Sequence, residues 1–402
     1  MTNPRLALAF ILITVTLDAI GIGLIFPVLP ELILEVTGRP LSEAAIWGGL
    51  LSASFAVMQF LFGPTIGSLS DRFGRRPILL GSLVIMSGTY LAMALAPTIW
   101  MLLAARIVAG IVSATYATAS AFIADVTPPE DRAKRFALIG AGFGIGFVLG
   151  PAMGGLLAGL DIRAPFHAAA LMAVLNLTLG WFILPETVTD ATRRTFSLRR
   201  ANPLGAFRAV AHLPGLRRSL LVFLILGIAM NVYPAVWAWY GHARFDWSAT
   251  MIGASLALYG ISFAVGQVAL VGPAIRRFGE HRTAFWGIWV DITTLAGFAF
   301  LTSGLGALLL IPVTALGGVV TPALQSILSR GTTPDAQGEL QGLLASLNAI
   351  AMIVSPLMMT ATFRLFTHEG AAVQFPGAPF LLASALMVGA LVLHLGGRRT
   401  NA

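Results

Sequence analysis

The chain has no cysteine, a single lysine and, outside a few short turns, very little charge. The missing cysteines exclude disulfides, thiolate metal sites and a thiol nucleophile, and leave the redox compartment open. Charged residues are 10% of the chain, against roughly 25% in a soluble domain. None of the six histidines has a ligand-like spacing. There is no H-E-x-x-H, no G-x-S-x-G and no phosphate-cradling Gly-Lys-Ser/Thr loop. An embedded enzyme is disfavoured, and no metal or cofactor is expected.

What fills the chain instead is apolar sequence: 57% of residues are hydrophobic, with a mean hydropathy of +0.86. At about 20 apolar residues per span, twelve spans fit within 402 residues. They lie near 6–30, 44–67, 78–96, 99–123, 136–158, 165–184, 218–240, 250–274, 283–303, 306–328, 339–363 and 377–396. The prediction is an all-α membrane protein of twelve transmembrane helices in two six-helix pseudo-repeats. The halves are 1–184 and 218–402, joined by a cytoplasmic linker over 185–217. Met1-Thr-Asn-Pro-Arg5 leads into the first span with no small-residue cleavage site, so that span reads as a retained helix and not a signal peptide.

Topology follows from counting. Of 25 basic residues, 20 fall in the termini or in alternate loops, and only Arg39, Arg163, Arg244 and Arg364 fall on the other side; Arg106 lies within a span. This positive-inside bias places both termini in the cytoplasm of a bacterial-type inner membrane. The basic balance therefore reports topology and not nucleic-acid binding. A lipid bilayer is the expected surround, and the chain is expected to work as a monomer.

The run Gly67-Ser-Leu-Ser-Asp-Arg-Phe-Gly-Arg-Arg-Pro77 is a polar loop between two charge-free apolar stretches. Its pattern G-x-L-S-D-R-x-G-R-R resembles the loop between helices 2 and 3 of the major facilitator superfamily of secondary transporters. Internal duplication supports that likeness. At an offset of 205, Gly67 meets Gly272, Phe73-Gly74 meets Phe278-Gly279, Pro129 meets Pro334 and Pro151 meets Pro356. The resemblance implies two parallel repeats with a site near the midplane between them.

Span 5 carries small residues every three or four positions, a groove that lets another helix backbone approach closely, and Pro151 bends it. Packing is the plain reading. Gly146, Gly150, Pro151, Gly154 and Gly155 also resemble the core of the superfamily's antiporter motif, G-x-x-x-G-P-x-x-G-G, which favours an exporter over an importer. Ala137 stands where the fuller motif has a glycine.

Charges inside spans cost roughly 2.5–3.5 kcal/mol each at the helix centre. Asp18 in span 1, Arg106 in span 4 and Asp291 in span 9 are such charges. A static ion pair that orders helices is one reading. Carrying a coupled proton is the other, and it is favoured for the two acids. Asp125, at the cytoplasmic end of span 4, groups instead with Asp71, Arg72, Arg75 and Arg76 as a charge network that closes the cytoplasmic side, with Asp71 near a helix N-terminus. Uncharged polar groups Gln59, Asn231, Gln267, Gln325 and Asn348 are candidates for a substrate cavity, as is Trp237. The wider cluster Tyr233, Trp237, Trp239 and Tyr240 reads mainly as an interfacial aromatic belt.

A closer likeness covers nearly the whole chain. Leu17-Asp-Ala-Ile-Gly-Ile-Gly-Leu-Ile-Phe-Pro-Val-Leu-Pro30, Arg106-Ile-Val-Ala-Gly110, Pro234-Ala-Val-Trp237, Pro322-Ala-Leu-Gln325 and Gln337-Gly-Glu-Leu-Gln-Gly342 resemble the tetracycline/proton antiporters. That resemblance implies efflux of a small amphipathic substrate against protons, with family carboxylates matching Asp18 and Asp291 and the span-4 arginine matching Arg106. Two positions depart from it. Thr89 precedes Tyr90 where the family has an acid, and Phe263 stands where some members have histidine. The family exports tetracycline as a cationic metal chelate, so the missing acid leaves other amphipathic drugs or metabolites equally open as cargo. A metabolite uniporter or importer of the same fold, and a non-transporting membrane sensor, are the competing classes.

Overall fold

The computed structural model describes residues 4–113, 115–190, 193, 202, 205 and 214–396. Most of the expected linker, with Arg194, Arg199, Arg200 and Arg208, and the C-terminal Arg398 and Arg399 lie outside the described residues. The described chain is helical. Eleven helices are long and apolar enough to cross a membrane, and Ile99–Val112 is a shorter apolar helix.

In chain order the first half holds α1 (Pro4–Ile25), α2 (Leu29–Thr37), α3 (Leu41–Phe73), α4 (Arg75–Ala94), α5 (Ile99–Val112), α6 (Thr115–Val126), α7 (Arg132–Ala158) and α8 (Ala164–Ile183). The second holds α9 (Arg217–Met230), α10 (Val232–Phe245), α11 (Ala249–Ala269), α12 (Val271–Phe278), α13 (Glu280–Phe300), α14 (Gly304–Thr314), α15 (Val320–Arg330), α16 (Gln337–Leu365) and α17 (Ala378–Gly396). Chain contacts define two compact units: Met1–Gly38, Ser54–Pro203 and Ala249–Ala254 form one, and Arg39–Ala53, Leu204–Ser248 and Ser255–Ala402 the other. The first unit takes in the N-terminal end of span 8, and the second the N-terminal end of span 2.

Several spans expected to be continuous are interrupted. Span 1 ends at Ile25 and restarts as α2, and span 4 is split between α5 and α6. Span 7 bends at Asn231, because Pro234 has no N–H for the preceding turn; the Asn231 amide donates to the Gly227 carbonyl at 2.8 Å. Span 10 breaks between α14 and α15, where Pro312 and the pair Gly317-Gly318 disrupt the helical ladder.

The first unit is centred on Phe10, Ile11, Leu79, Phe122, Ile123 and Ile139, all buried. The second is centred on aromatic rings. Tyr233, Trp237, Tyr240, Phe298 and Phe380 stack edge-on or tilted, with centroids 4.8 Å apart for Tyr240 and Phe380 and 5.2 Å for Trp237 and Phe298. This corrects the expected interfacial belt: Tyr233, Trp237, Trp239 and Tyr240 are all buried. Their polar handles find partners inside, Trp237 Nε1 donating to Ser255 Oγ at 2.8 Å and the Tyr240 hydroxyl to the Phe298 carbonyl at 2.5 Å. Trp100, Phe182 and Val268 stand exposed, an apolar outer surface suited to lipid.

Candidate functional site

The intramembrane acids occupy different units. Asp291 sits midway along α13 and is 4% exposed. Among the described residues no basic side chain forms an ion pair with it. Its carboxylate lies against the backbone of Gly317 in the span-10 break, where a Cβ would fall on Oδ1. Tyr233 of α10 and Tyr259 of α11 are within electrostatic range, and their rings are 5.2 Å apart. In the first unit, half-buried Asp18 of α1 and Arg106 of α5 both act on Tyr90 of α4. The Tyr90 hydroxyl crowds Gly21, one turn beyond Asp18. The Arg106 guanidinium stacks over the Phe55 ring at 4.6 Å, and its Nε is buried without a hydrogen-bond partner. Tyr90 thus lies against α1 one turn beyond Asp18, within electrostatic range of both Asp18 and Arg106.

The cavity candidates scatter. Trp237 is enclosed in the aromatic core, so it does not line a cavity. Asn231 spends its amide on its own helix, and Gln267 Nε2 donates to the Gly318 carbonyl at 2.9 Å. Gln59 is half-buried, and Gln325 and Asn348 are exposed. A groove of about 540 Å³ in the second unit is lined by Glu43, Arg364, His368 and Glu369 among others, and by none of these candidates.

The glycine-rich face of α7 meets α1 backbone to backbone. A Cβ at Gly146 would strike the Thr16 carbonyl, one at Gly150 the Gly23 Cα and Ile20 carbonyl, and one at Gly154 the Leu24 carbonyl. Pro151 Cδ packs on Gly23. Gly155 turns to another neighbour, the Ala249 carbonyl and Gly253 Cα at the start of α11, and the Thr250 hydroxyl donates to the Gly155 carbonyl at 2.8 Å.

The loop between spans 2 and 3 folds around Arg75. Its guanidinium pairs with Asp71 at 2.5 Å and with Asp125 at 3.2 Å and donates to Ser70 Oγ at 2.9 Å. Thr187 also donates to Asp125. Asp71 therefore lies in the last turn of α3, one turn before its partner, and not at a helix N-terminus as expected. That place is taken by Glu186, whose carboxylate accepts from the N–H groups of Arg75 at 2.9 Å and Arg76 at 3.2 Å. Gly74, at φ 110°, makes the turn that brings it close. Arg76 donates to the Trp181 carbonyl. Arg72 is exposed, lies over Phe73 and stands outside the network, because the helix turns it away from Asp71's partner. At the other end of α4, Arg163 donates to the carbonyls of Ala94 and Ala96 and pairs with Glu35.

Sequence reasoning missed Glu186, Tyr90, Arg163 and Gly317. Glu186 follows a proline at a span end and read as linker; an acid placed just after an apolar run was the available signal. Tyr90 and Gly317 carry no charge and gave none.

The model of the Major Facilitator Superfamily matches residues 11–356. The class C tetracycline resistance protein of Escherichia coli is 44% identical over 380 residues, 94% of either chain. The class G tetracycline resistance protein of Vibrio anguillarum is 40% identical across 88% of this chain and 89% of its own. The crystal structure of a human organic anion transporter superposes with a TM-score of 0.69 at 25% identity, across 98% of this chain and 100% of its own.

Proposed function

The chain belongs to the Major Facilitator Superfamily, and we propose that it is a proton-coupled efflux antiporter for tetracycline-like or other amphipathic drugs, working by alternating access. It is a transporter and not an enzyme. Asp291 carries the reading: a carboxylate buried in a membrane span, with no ion pair among the described residues, is costly unless it is used. It takes a proton from outside and releases it to the cytoplasm as substrate leaves. Asp18, with Arg106 and Tyr90 beside it, is the corresponding polar group of the first unit. The likeness to the tetracycline resistance proteins supplies the cargo class.

The Arg75 network acts as the cytoplasmic latch, with Asp71 and Asp125 as its acids and Arg76 beside it. The small-residue face of α7 is the seam along which span 5 slides on span 1. The bias of arginines toward alternate loops supports a bacterial inner membrane with both termini in the cytoplasm, and the protein works as a monomer.

The test is substrate-driven proton release from purified protein, screened across tetracyclines with magnesium and other amphipathic compounds. Release on adding substrate is expected from wild type and not from Asp291→Asn. Flux without proton release would identify a uniporter, and no flux at all a sensor.

A further inference from the structure

The break in span 10 has a feature that helix packing alone does not require. Gly317 and Val319 are buried, and Gly317 has no room for a side chain because the Asp291 carboxylate occupies that space. One turn earlier on α13, a Cβ at Gly287 would lie 2.5 Å from the Val320 side chain and 3.0 Å from that of Val319. α13 therefore touches this turn through bare backbone, and Asp291 is the polar group at the contact. Irregular backbone at membrane depth survives only where protein packs it and satisfies its polar groups. Gln267 of α11 does so here, holding the Gly318 carbonyl, while the Phe263 ring edge covers Gly318. α15 starts at Val320, so its positive end opens beside the carboxylate.

We propose that Gly317 is a positioning residue for the coupled proton: the turn Ala315–Val319 shifts with the protonation of Asp291, and Gln267 ties that shift to α11. This rests on Asp291 carrying the proton. A proton can move an equilibrium only through a contact that differs between the two states. An ionised carboxylate and a neutral carboxyl interact differently with backbone dipoles and with a helix end, so this contact differs. A methyl at 317 would hold the carboxyl away from the turn and sever the connection. Among the described residues, the titratable groups within electrostatic range of Asp291 are Tyr233 on α10 and Tyr259 on α11. On the α17 side, Ser384 donates to the Ile292 carbonyl and does not titrate.

The absence of cysteine permits a test that needs no substrate. Leu316→Cys, exposed at the turn, is labelled with a thiol fluorophore in purified protein across a pH series. We expect its labelling rate, divided at each pH by that of the same cysteine in unfolded protein so that ionisation of the thiol cancels, to change by roughly threefold or more between acid and alkaline pH. That dependence should vanish in Asp291→Asn and in Gly317→Ala, and survive in Gly389→Ala, where a Cβ meets nothing within 4 Å. A pH dependence that persists in Gly317→Ala, or none in the parent, overturns the proposal. Should Gly317→Ala fail to fold, Gln267→Leu replaces it with the label moved to Val268→Cys, exposed on α11: normalised labelling there should follow pH with Gln267 present, and labelling that still follows pH with Gln267 removed is equally fatal. Proton release by Asp291→Asn is measured in parallel. If it stays normal, the proton reading itself fails. If it is lost while labelling never followed pH, only the role of the turn is wrong.

Discussion

α4 and α13 are the third spans of their halves, and they match in frame while differing in chemistry. They contain 20 and 21 residues. Each follows a glycine at positive φ, Gly74 at 110° and Gly279 at 75°. Each has an arginine on its last carbonyls: Arg163 on Ala94 and Ala96, Arg244 on Leu301 at 2.9 Å. Their starts differ. α13 supplies its own acid, Glu280, whereas α4 opens with two arginines and borrows Glu186 from just beyond the end of α8. Their interiors differ more. Thr89 of α4 turns its hydroxyl back to the Met86 carbonyl at 2.8 Å, while α13 buries Asp291 against a broken span. A duplicated frame keeps its ends matched to the helix dipole by whatever residues are at hand, and its interior is then free to specialise.

The largest expected effect separates those interiors. Asp291→Asn should abolish proton-driven efflux, a fall of about a hundredfold or more if a positioned proton carrier is lost, with the protein still folded. Asp18→Asn should behave likewise. Thr89→Val, nearly isosteric, should leave coupled exchange within about twofold, because its hydroxyl serves only its own helix. Drug-driven proton release measures all three. Comparable losses in Thr89→Val and Asp291→Asn would mean that α4 carries chemistry of its own.

A second contrast concerns helix seams. On α7 the glycines at 146, 150 and 154 meet α1, and the corresponding positions on α16 are Ala351, Ser355 and Met359. There Ser355 donates to the Ile228 carbonyl at 2.8 Å, and Ala351 packs on Gly227. Gly150→Leu drives a side chain into backbone, so it should cost about 3 kcal/mol or more and block transport. Ser355→Ala should cost only about 1 kcal/mol. Thermal unfolding in detergent ranks them; equal losses would show that the α7 seam is no tighter than its counterpart.

Much of this was legible in the sequence because bilayer length is a crude and strong constraint. The spans, the Arg75 loop and the glycine face all depend on local runs. The breaks were harder: Gly317-Gly318 looks like any small pair in an apolar run, and only packing against Asp291 distinguishes it. The aromatic cluster near the end of span 7 was misread because position along a span does not tell whether a ring faces lipid or core. Asp71 and Asp125 both pair with Arg75, but the helix N-terminus expected for Asp71 belongs to Glu186, about 110 residues away in sequence, a pairing that no local pattern encodes.

The smallest effect tests the starts of α4 and α13. Glu186 accepts four N–H groups, those of Arg75, Arg76, Thr187 and Val188, and faces two arginines that oppose the α4 dipole, so its charge is favourable on both counts. Glu186 is exposed and partly screened. Glu186→Gln should therefore lose only about 0.3–1 kcal/mol, the usual worth of a charge at a helix end. Glu186→Ala, which removes the acceptors as well, should lose about 1 kcal/mol. Glu280→Gln should lose less than either, because its partner Arg330 is 75% exposed at the side chain and α13 opens with no opposing pair of arginines. Unfolding temperatures at low and high salt separate charge from geometry. The Glu186→Gln deficit should shrink as salt screens it, while the extra deficit of Glu186→Ala should persist. A Glu186→Gln deficit that ignores salt would mean that the carboxylate holds the turn at Gly74 by shape alone, and that the arginines of α4 need no compensating charge.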